Sequence, residues 1–83
     1  MNLISMSVLE RLHPIFSKVL AAPASEVTLE APRNRFARWD SWAHLELVME
    51  IEAEFGCSFT MEETVAISSV RDFVELISQK TRQ

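Results

Sequence analysis

The stretch Asp40-Ser41-Trp42-Ala43-His44-Leu45-Glu46-Leu47-Val48-Met49-Glu50-Ile51-Glu52-Ala53-Glu54-Phe55-Gly56 decides the fold. It opens on two residues whose side-chain oxygens can accept from free backbone N–H groups, so Asp40 or Ser41 is an N-cap. It closes on Gly56, which suits the left-handed position just past a helix. No helix breaker lies between them. The segment therefore reads as a helix over Ser41–Phe55 with two stripes. His44, Leu47, Val48, Ile51 and Phe55 recur at spacings of three and four and form a core-facing stripe. Ser41, Leu45, Met49 and Glu52 form the other, flanked by Trp42, Glu46 and Glu50. That second face mixes apolar groups with carboxylates and reads as a place where something else binds.

Outward from this helix, the same periodicity predicts others. Val8, Leu9, Leu12, Ile15, Phe16, Val19 and Leu20 mark a first helix from about Ser5 to Leu20. Pro14 conflicts with it, and predicts a kink there or a start later than Ser7. Residues 21–40 hold Pro23, Pro32 and Asn34 and read as a long loop, with Val27 and Leu29 as anchors. A loop of about 20 residues is unusual in a compact domain and is often functional. Arg33, Arg35 and Arg38 make a basic cluster there. It reads as a solvated loop, with docking or phosphate contact as the sharper alternative. Thr60 and Glu63 form a Thr-x-x-Glu capping box for a short third helix, Met61–Ala66. Ser68 or Ser69 caps a last helix from Val70 to about Gln79, with Val70, Phe73, Val74 and Ile77 buried. The fold class is all-α: four helices, the third short, the first two joined by a long loop.

Composition sets the outer limits. At 83 residues the chain reads as one domain, 1–83, able to bury roughly 60% of its unfolded surface. Its 48% hydrophobic content supports a core, and a single glycine with three prolines disfavours a turn-rich β fold. A net charge of −4 argues against nucleic acid and permits a partner with a basic face. Cys57 stands alone, so neither a disulfide framework nor a cysteine metal site is expected; it reads as a small buried hydrophobe. Met1–Leu12 has no signal-peptide pattern, and no apolar run approaches the roughly 20 residues of a membrane span. A cytoplasmic monomer is the expectation. His13 and His44 are isolated, no Ser/His/Asp spacing suggests a hydrolase, and Glu46, Glu50, Glu52 and Glu54 read as a solvated face.

A serine at the start of a helix is a weak signal by itself, because Ser and Asp are common caps. A helix N-terminus does tolerate a phosphate, through its free N–H groups and positive dipole. The longer pattern is more specific. Asp40-Ser41, followed by Glu46, Leu47, Val48, Met49, Glu52, Glu54 and Phe55, resembles the prosthetic-group motif of acyl carrier proteins. Glu26-Val27-Thr28, Phe59 with Glu62-Glu63, and Ile67-Ser68-Ser69-Val70 extend the resemblance over about residues 8 to 78.

The resemblance implies a four-helix bundle whose Ser41 receives 4′-phosphopantetheine from coenzyme A and holds acyl groups as thioesters on the arm's thiol. It implies a carrier rather than an enzyme. Asp40 would lie beside the phosphodiester and help hold the Mg²⁺ used in transfer. Trp42, Leu45, Glu46, Met49 and Glu52 would form the docking face for a phosphopantetheinyl transferase and for acyl-loading ligase or synthase enzymes. Leu47, Ile51, Phe55, Ile67 and Phe73 are candidates to line an acyl site, though ordinary core is the plainer role for each. The sequence departs from the common pattern at Trp42, where Leu is usual, at Ala43 and Ala53, where acidic residues are frequent, and at the three loop arginines. Those departures, with the modest negative charge, point to a specialised fatty acid, polyketide or related pathway. Two alternatives share the bundle: an amino-acid carrier of D-alanyl or peptidyl type, and an interaction module without the arm.

Overall fold

The computed structural model describes residues 3–81. Four α-helices follow one another: α1 (Leu3–Leu20), α2 (Ser41–Phe55), α3 (Met61–Ala66) and α4 (Val70–Thr81). Helix α1 packs against both α2 and α4. Two ion pairs cross from α1 to α2: Arg11 Nε to Glu54 Oε2 at 3.0 Å, and Lys18 Nζ to Glu50 Oε2 at 2.8 Å. The later residue of α1 meets the earlier residue of α2, so the two helices run antiparallel. The Glu50 hydrogen bond is the main cause that raises the Lys18 pKa above its ordinary value.

The α1 stripe is buried as its spacing requires. Val8, Leu12, Ile15, Phe16 and Leu20 are in the core, and Leu9 and Val19 pack against it half-buried. The expectation of a start later than Ser7 is corrected: α1 begins at Leu3 and continues through Pro14 without a break. Pro14 lies on an exposed face. There the carbonyl that loses its partner, four residues earlier, can turn to water, so the cost that proline imposes in a dry interior is reduced.

Helix α2 sends Ala43, His44, Leu47, Val48 and Ile51 into the core. Phe55 is only half-buried, with the Arg11 guanidinium carbon 4.2 Å from its ring centroid. Gly56 ends the helix at φ 65°, a conformation that glycine adopts without the Cβ penalty. The Thr60–Glu63 capping box of α3 is present in both directions. Glu63 also accepts from Lys80 Nζ at 2.8 Å, which ties α3 to the end of α4. That hydrogen bond first, and the backbone N–H of Thr60 second, hold the Glu63 pKa below its ordinary value. For α4 the cap is Ser69, whose Oγ accepts from Asp72 N at 3.2 Å. Asp72 answers by accepting from Ser68 N at 2.8 Å.

The segment between α1 and α2 is more ordered than its composition suggests. It holds two 3₁₀ turns, Ala24–Glu26 and Arg33–Arg35. Val27 and Leu29 are buried, as expected, but so are Ala22, Ala31, Phe36 and Trp39. His13 Nε2 lies 3.3 Å from the carbonyl of Val27. Two backbone hydrogen bonds stitch the segment to the start of α4: Arg33 N to Ser68 O at 2.8 Å, and Val70 N to Ala31 O at 3.1 Å. The chain thus delivers Phe36 and Trp39 into an aromatic cluster around Phe16 and Phe73. Phe16 meets Trp39 edge-on at 5.5 Å and Phe73 edge-on at 6.2 Å, while Trp39 stacks on Phe73 at 5.9 Å. Each such pair adds about 0.5–1.5 kcal/mol beyond the burial of its area.

Candidate functional site

The site begins with a choice between two caps. Asp40 is extended, at φ −96° and ψ −169°, and its Oδ1 accepts from Ala43 N at 2.8 Å. Because Asp40 satisfies the first turn, the hydroxyl of Ser41 is not used for capping. Ser41 is exposed, and its Oγ has no hydrogen-bond partner among the described residues. The sequence left Asp40 and Ser41 as equal candidates for the cap, and the geometry separates them: one carboxylate holds the helix and one hydroxyl faces water.

What precedes Ser41 is anchored in the core. Trp39 is buried, and its Nε1–H donates to His44 Nδ1 at 2.9 Å. An indole nitrogen can only donate, so His44 Nδ1 carries the lone pair and the ring proton sits on Nε2. That Nε2–H donates to the carbonyl of Thr64 in α3 at 2.8 Å. His44 thus bridges the pre-serine segment, α2 and α3 through its two ring nitrogens, with its ring 6.0 Å from the Trp39 ring and 20° from parallel to it. The sequence placed His44 on the core stripe, and it is there, 6% exposed. Its bridging partners were not legible, because Trp39 and Thr64 fall outside any helical period shared with it.

The residues expected to dock partners divide in two. Trp42, Leu45 and Met49 are 74%, 53% and 63% exposed, an apolar strip beginning beside Ser41. Glu46 is exposed on the same helix. Glu52 is half-buried, and its Oε2 accepts from Phe59 N at 2.9 Å, so its carboxylate also holds the turn after Gly56. Glu50 and Glu54 are engaged with α1, as described above. Of the acyl-site candidates, Leu47, Ile51, Ile67 and Phe73 are buried in the common core.

A groove of about 260 Å³ runs beside the serine, lined by Arg33, Ser41, His44, Leu45, Met61, Thr64 and Val65. Sequence reading passed over Met61 and Val65. They stand four residues apart on one face of α3 and are 77% and 70% exposed, and that spacing was the available signal. The groove's chemistry suits a long substituent on Ser41: a free hydroxyl to esterify, a cation from Arg33, and apolar walls from Leu45, Met61 and Val65. It fits a group with a phosphodiester at one end and a flexible chain beyond it. No group of His, Cys, Asp and Glu able to hold a metal ion occurs among the described residues.

Comparison with known proteins agrees with this geometry. The sequence model of the family described as "Phosphopantetheine attachment site" matches residues 10–77. The chain is 31% identical over 71 residues to acyl carrier protein 3 of Ralstonia nicotianae, covering 86% of this chain and 82% of that one. It is 33% identical over 70 residues to the acyl carrier protein of Rubrobacter xylanophilus, covering 84% and 86%. With the acyl carrier protein of Petrotoga mobilis the identity is 34% over 71 residues, covering 86% and 84%. The class is that of helical carrier domains with a phosphopantetheine attachment site. More closely, the chain belongs to the acyl carrier protein family. It is accordingly a carrier rather than an enzyme, its prosthetic group is covalently bound 4′-phosphopantetheine, and it works with partner enzymes. No helix among the described residues is long and apolar enough to cross a membrane.

Proposed function

We propose that Ser41 is the residue that carries the arm, and that the protein serves a specialised fatty acid, polyketide or related pathway as a cytoplasmic monomer. The observation that carries the first part is the exposed Ser41 hydroxyl, without a hydrogen-bond partner among the described residues while Asp40 caps α2. An oxygen so placed is reachable by a transferase, and a phosphate on it meets the N-terminal end of a 15-residue helix, where a negative charge is stabilised. Once attached, the group supplies a thiol that holds an acyl chain as a thioester. This chain's own residues supply address and orientation. Asp40, the neighbour of Ser41 in sequence, would help hold the Mg²⁺ used during transfer.

Docking on the phosphopantetheinyl transferase and on an acyl-loading ligase or synthase uses the outward face of α2. Trp42, Leu45 and Met49 supply apolar contact, while Glu46 and Glu52 answer a basic patch. The bulk of Trp42 beside the arm supports a dedicated partner, as does the placement of Arg33 in the groove. The test is intact mass after incubation with coenzyme A and a broad-specificity transferase. Wild type gains one arm and Ser41→Ala gains none. A wild type that stays unmodified would falsify the assignment.

A further inference from the structure

The three loop arginines look alike in sequence and differ in space. Arg35 and Arg38 are exposed and line a separate open groove at the end of α1, with Leu20, Pro23 and Phe36. Arg33 is half-buried and lines the groove that contains Ser41. Its Nε–H donates to the carbonyl of Trp39 at 3.3 Å, and its guanidinium carbon lies 5.8 Å from the Trp39 ring centroid. Its backbone N–H is fixed on Ser68 O. Trp39 is in turn held by His44. Among the described residues, no carboxylate lies within ion-pair distance of Arg33, in contrast to Arg11 and Arg71.

We propose that Arg33 is a positioning residue for the phosphodiester that joins the arm to Ser41. The inference rests on Ser41 being the attachment residue and adds what holds the arm once it is there. The Nε–H is committed to Trp39, which fixes the fork and leaves the two terminal nitrogens to face an anion. A planar guanidinium is suited to two parallel hydrogen bonds with phosphate oxygens. The need for it is local. The Asp40 carboxylate is adjacent to Ser41, and the chain carries a net charge of −4. A phosphodiester added beside that carboxylate is repelled, and Arg33, in the lining of the same groove, offsets the repulsion. Held at its phosphate, the arm starts along the strip formed by Leu45, Met61 and Val65 rather than leaving freely into solvent. Arg35 and Arg38, exposed and in another groove, act on the phosphate only through screened solvent.

The experiment uses the full chain loaded by a transferase, with loading verified by intact mass, and reads the phosphorus-31 resonance of the phosphodiester. In wild type at low salt this resonance differs from that of loaded Arg33→Ala by more than its linewidth. Sodium chloride raised from ~10 to ~300 mM moves the wild-type signal most of the way toward the variant's, because the contact is between charges. Loaded Arg35→Ala superimposes on wild type, and Arg33→Lys falls between wild type and Arg33→Ala. If Arg33→Ala loses its fold, Arg33→Gln is read by the same criterion, since its amide can still donate to Trp39. A wild type that cannot be loaded overturns the Ser41 assignment. Loaded proteins whose phosphorus signals coincide with and without Arg33 overturn the role of Arg33 alone.

Discussion

The two faces of α2 are made from the same fifteen residues and do opposite work. The inward face, Ala43, His44, Leu47, Val48 and Ile51, is closed against α1, α4 and the pre-serine segment, and its one polar ring is bonded at both nitrogens. The outward face begins with the Ser41 hydroxyl, without a hydrogen-bond partner among the described residues, and continues with apolar side chains left in water. Exposed Trp, Leu and Met on a domain of this size cost solubility and add nothing to the fold. In the function proposed above they form the surface that partners cover. If Ser41 carries the arm, the buried face anchors the helix end from which its oxygen is offered to partner enzymes.

The sharpest way to break the comparison is on the inward face. His44→Ala opens a cavity, leaves the Trp39 indole N–H without its partner, and removes one of the two hydrogen bonds that the Thr64 carbonyl accepts. It is expected to cost about 3–5 kcal/mol in urea unfolding. A loss under about 1 kcal/mol would show that the bridge does not hold the site. Next in size is the cap. Asp40→Ala removes the bond to Ala43 and is expected to cost about 1 kcal/mol. It also slows arm transfer beyond what that loss explains, since Ser41 then has a helix end to cap.

On the outward face the expectation inverts. Glu46→Lys is expected to change stability by less than about 0.5 kcal/mol. The same change raises the transferase KM about fivefold, because a charge on the docking rim is reversed. A variant that unfolds, or one that docks unchanged, would remove Glu46 from that face. The smallest effect concerns pH. The folded-state pKa of Glu63 is lowered, chiefly by Lys80, so its contribution is present above the ordinary glutamate pKa and is lost as pH falls through the depressed value. The stability difference between wild type and Glu63→Gln should therefore shrink on acidification from neutrality to below about pH 4. A difference that grows instead would contradict the ion pair.

Much of this was legible in the sequence where local rules act alone. Asp40 and Gly56 bracket α2, and Thr60 with Glu63 announce α3, because caps are chemistry between residues three or four apart. Ser41 stood out only through the longer pattern from Asp40 to Phe55, since a serine at a helix start is by itself an ordinary cap. The rest depended on contacts that no local period encodes. Trp39 and Phe36 lie in a segment without helical spacing, so nothing nearby marked them as core; only packing against Phe16 and Phe73 does. Pro14 reads as a break by a local rule and is accommodated because its face is turned to water. Arg33, Arg35 and Arg38 could be counted but not told apart until the fold sent Arg33 alone to the groove beside Ser41.

With Asp40 as the cap, the Ser41 oxygen is the one proposed to take the arm. This is tested most directly by digesting the loaded protein and locating the arm by tandem mass spectrometry. The arm is expected on the peptide spanning Trp39 to Glu46, with the added mass on Ser41. An arm found on Ser25, Ser58 or Ser68, which are also exposed, would contradict it.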